Sequence, residues 1–248
     1  DTFMEPITWF LTGMEKHSDG YEPDLLNNAE VLLDTLREKS CAFSGQSFLI
    51  AMNQLSNHDH SRFLTRTNHQ VGRVDELGSE AAEEGVSKAV FREAVALMMT
   101  WHGAPTIYYG DEAGVCGFTD PDSRRTYPWG HEDQELIRYH RELSRIRKAN
   151  PACRTGCGTP LYAKGGHFAF GRFQDENYVV TVVNNTEEGT RLELPVWQIE
   201  VPDGTLLERQ ILSVEDDFSL VKAHYLVEHG VMDIFMPPFS AAVLTYQG

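Results

Sequence analysis

The spacing of apolar positions changes near residue 150. Before it, apolar residues recur mostly every third or fourth position, as on one side of a helix. After it, short β-branched and aromatic runs alternate with turn residues. In the first half Leu25, Ala29, Leu32, Leu33 and Leu36 form one stripe, which predicts a helix with Pro23 in its first turn. Residues 47–55 (SFLIAMNQL) begin as a nearly continuous apolar run and predict a strand buried on both faces in a parallel sheet. A second helix is predicted over 86–101, with Ala89, Val90, Ala94, Val95, Leu97 and Met98 inward. Gly103-Ala104-Pro105 breaks it, and a short strand is expected at 106–109. A third helix is expected over 134–149, with Leu136, Tyr139, Leu143 and Ile146 on one side and Pro151 just beyond its end.

The second half predicts strands at 167–173, 178–184, 191–194, 206–212, 224–227, 231–236 and 241–246. Asn184-Asn185, Glu188-Gly189 and Asp203-Gly204 supply the turns between them. The expected fold class is therefore α/β plus all-β. Residues 1–150 form an α/β unit with right-handed crossovers, and 151–248 form an antiparallel β-sandwich.

Composition narrows the partners. Hydrophobic residues make up 41% and charged residues 23% of the 248, enough for a real core. No run approaches the ~18 consecutive apolar residues of a membrane span. The formal charge of −16 disfavours nucleic acid and anionic lipid but leaves a neutral ligand such as a sugar unaffected. Cys153 and Cys157 have neither a second Cys pair nor His at zinc spacing, which argues against a metal site; free buried thiols are expected of the four cysteines, with a short local disulfide as the alternative. The residues from Asp1 onward have no basic, apolar, small-residue leader pattern, which says little about export because the natural amino terminus is expected to be missing; the compartment is left undetermined, the cytoplasm slightly favoured.

Two segments concentrate polar chemistry. In residues 53–67 (NQLSNHDHSRFLTRT) an apolar strand ends in Asn57-His58-Asp59. In a parallel α/β barrel, polar residues at the carboxyl end of a strand face the site at the barrel top. A strand-ending turn with local Asn and Asp caps is the plainer reading. In residues 103–130 (GAPTIYYGDEAGVCGFTDPDSRRTYPWG) a strand ends in Asp111-Glu112, then a long loop carries Asp120, Asp122, Arg124 and Arg125. Loops that long after a barrel strand are usually functional, although each charge taken singly reads as solvated or locally paired.

Together these segments resemble the α-amylase family of glycoside hydrolases. The first is similar to the family's seventh barrel strand, ending in Asn-His-Asp and followed by an Arg and Phe-Leu. The second is similar to the eighth, Gly-Ala-Pro-x-Ile-Tyr-Tyr-Gly-Asp/Glu-Glu. The run Asp-Pro-Asp-x-Arg-Arg-x-x-x-Trp most resembles the neopullulanase, cyclomaltodextrinase and amylopullulanase branch. The resemblance implies the carboxy-terminal portion of a (β/α)8 TIM barrel followed by the family's β-sandwich, acting on starch-, pullulan- or maltodextrin-type α-glucans. By position, Asp59 matches the carboxylate that stabilises the transition state through the 2- and 3-hydroxyls of the sugar. His58 matches the histidine on the same hydroxyls, and Asn57 holds that turn. Asp120 and Arg124 match a pair on the other side of the sugar. Trp129 is placed to stack on a sugar face, a packed Trp being the alternative, and Asp111 and Glu112 read as structural.

The family's nucleophile lies in an Arg-x-Asp motif and its acid follows the fifth strand, both ahead of Asn-His-Asp. Residues 1–56 contain neither, and Gly72-Arg73-Val74-Asp75 is a decoy because it comes after Asp59. The chain is thus expected to begin after the sixth strand, to lack the preceding part of its polypeptide, and to be inactive alone. Calcium is common in the family, but its usual ligands lie earlier, so neither metal nor cofactor is expected here. A second copy of the chain or the rest of the polypeptide is expected to cover the strand edges of 1–149. The rival readings are a non-catalytic carbohydrate-binding module, resting on Tyr162, Phe168, Phe170, Phe173, Tyr178 and Trp197, and a truncated structural remnant without ligand.

Overall fold

A computed structural model of the protein describes residues 2–248. The first part is mainly helical: α1 (Met4–Thr12), α2 (Ala29–Cys41), α3 (Gly45–Leu49), α4 (Phe63–Arg66), α5 (Val74–Leu77), α6 (Lys88–Thr100), α7 (Gln134–Ala149) and α8 (Pro151–Thr155). Two short strands interrupt it, β1 (Met52–Asn53) and β2 (Ala104–Pro105), paired in parallel. Capping sets the helix starts. Asn28 accepts from the Val31 amide, Ser87 from Val90, and Asp133 from Glu135 and Leu136. Helix α2 therefore begins at Ala29, and Pro23 and Leu25 fall in the preceding turn, not in its first turn as expected. Every residue of α6 from Ala89 to Thr100 is buried, whereas α7 buries the stripe Leu136, Tyr139, Leu143 and Ile146.

The expected strand at 47–55 is mostly absent. Ser44 caps α3 through the Ser47 amide, Ile50 is 77% and Met52 61% exposed, and only Met52–Asn53 reaches a strand neighbour. With one partner instead of two, the apolar run satisfies its backbone locally, in a helical turn that sets Phe48 against His102, ring centroids 4.8 Å apart. The strand expected at 106–109 is likewise absent, and the two-residue β2 lies just before it, at Ala104–Pro105. The last rung is Thr106 N to Asn53 O at 2.7 Å, after which the Asp111 amide takes the Tyr108 carbonyl and Arg62 takes that of Tyr109.

The remaining strands are β3 (Cys157–Lys164), β4 (His167–Gln174), β5 (Asn177–Asn184), β6 (Thr190–Leu194), β7 (Leu206–Ser213), β8 (Phe218–Ser219), β9 (Ala223–Glu228), β10 (Val231–Met236) and β11 (Ser240–Gln247). They pair antiparallel in the order β3-β4-β5-β11-β7-β9-β10-β6, with β8 on β7. Strands expected from alternation are present within two residues of their expected ends. β3, with its Pro160 and Gly158, was not expected. β5 is buried on both faces. Val179 and Val183 join a core with Phe10, Val95 and Tyr139 of the helices, while Val180 and Val182 join a second core with Leu192, Val227 and Ile234.

One apolar core thus crosses residue 150, and buried polar side chains cross with it. Arg172 donates to the carbonyls of Thr100, Cys153 and Gly156, and Asn185 to those of Phe10 and Leu11. Arg92 on α6 reaches Glu135 and the carbonyls of Val214 and Glu215. The helical half and the antiparallel sheet therefore share buried contacts across residue 150. Cys116 and Cys153 are buried, but Cys41 and Cys157 are exposed, against the expectation of four buried thiols; all are free.

Candidate active site

The turn after β1 is built by Asn57. Its Oδ1 accepts from the amides of Asp59 (2.9 Å) and His60 (3.0 Å), which folds the three residues back on themselves and turns His58 and Asp59 outward. The side chains of His58 and Asp59 are 64% and 61% exposed, with His58 Nε2 3.4 Å from Asp59 Oδ1. Thr119 Oγ1 donates to the Asp59 carbonyl at 2.5 Å, and Ser123 Oγ to that of His58 at 3.1 Å, so the long loop is laced onto the turn.

That loop sorts its charges into two pairs. Asp122 and Arg125 face inward: Asp122 Oδ2 accepts from the Phe118 amide, and Arg125 grips Asp122, Glu83 and the Ser79 carbonyl. Asp120 and Arg124 face the turn. Arg124 Nε donates to Asp120 Oδ1 at 2.8 Å and to the His58 carbonyl at 3.1 Å, and its Nη2 lies 4.0 Å from Asp59 Oδ1. The structure therefore brings Asn57, His58, Asp59, Asp120 and Arg124 into one open cluster. Trp129 is 80% exposed, and its ring contact among the described residues is with Tyr127, centroids 4.6 Å apart. The decoy Arg73 pairs with Asp19 at the surface, 2.6 Å, next to α5.

Beneath the cluster lies Arg62, fully buried. Its guanidinium donates to Asp111 Oδ1 (2.9 Å), the Tyr109 carbonyl (2.6 Å) and the Ser123 carbonyl (2.9 Å), and stacks over Tyr108 at 4.1 Å. One side chain so ties the Asn57 turn, the segment after β2 and the loop. Burial pushes the Asp111 carboxyl above its usual range, against the pull of Arg62. Arg66, also buried, holds Thr8 Oγ1 and the carbonyls of Leu55 and Ser61, and burial brings its pKa down to about 10.

Sequence reasoning did not single out His17, His60 or Thr119. The His17 ring meets Thr119 Oγ1 at 2.8 Å and packs edge-on to His60 at 4.7 Å, while His60 Nδ1 lies 3.0 Å from Asn57 Nδ2. Burial, then nearby Arg66 and His17, lowers the His60 pKa to about 4, which keeps it neutral. His60 adjoins the motif and was open to notice; His17 arrives from more than forty residues away and has no local signal. Among the described residues no group of three or more His, Cys, Asp or Glu side chains is placed to hold a metal ion. An exposed carboxylate and imidazole, backed by a second carboxylate–guanidinium pair, suit the hydroxyls of a neutral ligand.

Comparison with known proteins gives the same direction. Amylopullulanase of Thermoanaerobacter thermohydrosulfuricus is 41% identical over 125 residues, covering 50% of this chain and 8% of that protein. Neopullulanase 2 of Thermoactinomyces vulgaris is 30% identical over 198 residues, covering 78% of this chain and 29% of that protein. The native debranching enzyme of Nostoc punctiforme superposes over 99% of this chain and 46% of its own length, with a TM-score of 0.74 and 25% identity. The chain thus spans under half the length of each. The family model for the α-amylase catalytic domain matches residues 28–155, just over half of the 248, and includes the whole cluster from Asn57 to Trp129. On that match the chain belongs to the α-amylase family.

Proposed function

We propose that this chain is the carboxy-terminal part of a retaining hydrolase of α-glucosidic bonds. Residues 1–150 would form the last two strands and helices of the catalytic (β/α)8 barrel, and 151–248 its β-sandwich. The parallel rung between β1 and β2, each running into a polar turn, supports the barrel reading. The observation that carries the function is the placement of Arg124, bonded to Asp120 and to the His58 carbonyl and 4.0 Å from Asp59. Asp59 and His58 would hold the 2- and 3-hydroxyls of one sugar ring, and Asp120 and Arg124 would contact the same sugar from the other side. Asp59 serves as the transition-state stabiliser, because a carboxylate on those hydroxyls gains most as the ring becomes cationic. His58 adds a hydrogen bond on the same edge. Asn57 holds the turn, and Trp129 offers an open aromatic face.

The pair of carboxyl groups that a retaining glycosidase sets about 5–5.5 Å apart is not among these residues. Nucleophile and acid are to be supplied by polypeptide outside them, and the 248 residues alone are inert. The binding-module reading draws less support, since Phe168, Phe170 and Tyr178 are buried and only Trp197 of its six aromatics is well exposed.

The test joins this chain to the preceding barrel segment of a cyclomaltodextrinase relative and assays soluble starch, pullulan and cyclodextrin beside the chain alone. The joined protein should release sugar and the chain alone none. A rate from the chain alone within a hundredfold of the joined protein would show the carboxylates to be misassigned.

A further inference from the structure

Side chains hold the carboxylate of Asp59 only loosely, His58 Nε2 lying 3.4 Å and Arg124 Nη2 4.0 Å from its Oδ1. Its backbone is held tightly, and on both sides. The Asp59 amide donates to Asn57 Oδ1 at 2.9 Å. The Asp59 carbonyl accepts from Thr119 Oγ1 at 2.5 Å and from the Asp120 amide at 3.3 Å. Asn57 and Thr119 each lead on to an imidazole. Asn57 Nδ2 lies 3.0 Å from His60 Nδ1, and Thr119 Oγ1 lies 2.8 Å from His17 Nδ1. The two rings meet at an edge, centroids 4.7 Å apart and planes at 85°. Asn57, His60, His17 and Thr119 thus close one circuit from the amide of residue 59 to its carbonyl.

Proton counting fixes both tautomers. Asn57 Oδ1 already accepts the amides of Asp59 and His60, so the group facing the His60 ring is the NH2, which can only donate. His60 Nδ1 is therefore a bare acceptor, with the ring hydrogen on Nε2. The single hydroxyl hydrogen of Thr119 goes to the Asp59 carbonyl, so toward His17 its oxygen accepts, and His17 Nδ1 carries the hydrogen. The surroundings suit a neutral His60. Burial, then Arg66 from α4 and His17 and Lys16 from the stretch after α1, bring its pKa down to about 4, with the Asp59 carboxylate opposing. The stretch that delivers His17 is itself fixed. The Glu15 amide donates to the Gly20 carbonyl, and Ser61, next to His60, donates through its amide and its hydroxyl to the Lys16 carbonyl.

We propose that His17 and His60 are positioning residues, which aim the Asp59 carboxylate by holding the amide and the carbonyl of that residue through Asn57 and Thr119. Calling that aim catalytic rests on the glucan-hydrolase reading above; the circuit itself does not. A carboxylate gains on a flattening sugar ring only at hydrogen-bond distance, and a misplacement of about 1 Å costs up to ~100-fold in rate.

Two measurements test it. The first uses the 248-residue chain labelled with nitrogen-15 histidine, read by long-range proton–nitrogen spectra at neutral pH. His60 should be the Nε2–H tautomer and His17 should carry a hydrogen on Nδ1, each signal assigned by its loss in His60→Asn or His17→Asn. The second uses the joined enzyme. His60→Phe keeps a ring against His17 but offers no acceptor, so kcat should fall about tenfold with KM and thermal midpoint little changed. His60→Asn, whose Oδ1 takes the place of Nδ1, should restore most of that loss. A hydrogen on His60 Nδ1, a bare His17 Nδ1, or kcat losses that merely follow the thermal midpoint in both His60 variants overturns the proposal. A joined parent that releases no sugar strikes the hydrolase reading instead, and the tautomers then decide the circuit by themselves.

Discussion

Arg62 and Asp111 meet at 2.9 Å with their side chains 0% and 7% exposed. The pair joins the Asn57 turn to the segment after β2, and both support the outward-facing cluster. Removing the cation strands a carboxylate in a site whose burial already disfavours its charge. Arg62→Met should therefore cost about 3–5 kcal/mol of unfolding free energy. Arg62→Met with Asp111→Leu should regain most of that loss, because no lone charge remains. Urea unfolding of the three proteins checks this, and equal stabilities for the single and double variants would count against it.

In the joined enzyme, Asp59→Asn should lower kcat and kcat/KM together by at least ~100-fold, with KM little changed. The amide fills the same space but loses the charge that matters when the ring is cationic. Arg124→Ala should raise KM more than it lowers kcat, because Arg124 would hold the ground-state sugar through Asp120. Steady-state kinetics on cyclodextrin separate the two patterns. A normal kcat for Asp59→Asn would reduce the turn to a structural cap.

Glu93 is fully buried on α6, and neither of its carboxylate oxygens has a hydrogen-bond partner among the described residues. Burial, only partly opposed by Arg92, raises its pKa well above the ordinary 4.5. The unfolded chain then releases this proton at a lower pH than the folded one does. Above pH 4.5 the folded state binds the extra proton, so stability falls as pH rises, by at most about 1.4 kcal/mol per pH unit, until the folded carboxyl itself ionises. Glu93→Gln should remove that slope. Thermal midpoints from pH 5 to 9 should diverge, with the variant gaining relative to the parent at the alkaline end. Parallel curves would mean that Glu93 is already ionised when folded.

Met52 on β1, and Ile50, Ile107 and Tyr109 in the segments flanking the two short strands, are exposed by 41% or more. A sheet of two two-residue strands leaves backbone groups open on both edges, and such edges recruit other strands. The 248-residue chain should self-associate at micromolar concentration, and Ile50→Lys with Met52→Lys should shift it toward monomer. Sedimentation velocity reads this directly. A monomeric parent would mean that packing on the antiparallel sheet alone protects the edge.

Periodicity made much of this molecule legible from its residues. The stripe of α7, the inward apolar positions of α6, and the β-branched and aromatic runs of β4, β5, β10 and β11 are local patterns, and each produced the element expected. Asn57-His58-Asp59 and the Asp120–Arg124 pair are short-range signals as well, and the structure sets them side by side. The failures share a cause. The run from Ser47 to Leu55 has the composition of a central parallel strand, but a strand exists only with neighbours, and here a single two-residue partner lets Gly45–Leu49 coil instead. No local pattern could say that Arg62 would be wrapped by Asp111, Tyr108 and Ser123, or that His17 would reach Thr119. Nor could it say that the helical half would share its core with one face of the antiparallel sheet. Those contacts join residues tens of positions apart, and only the closed fold decides which buried charges find partners and which edges remain open.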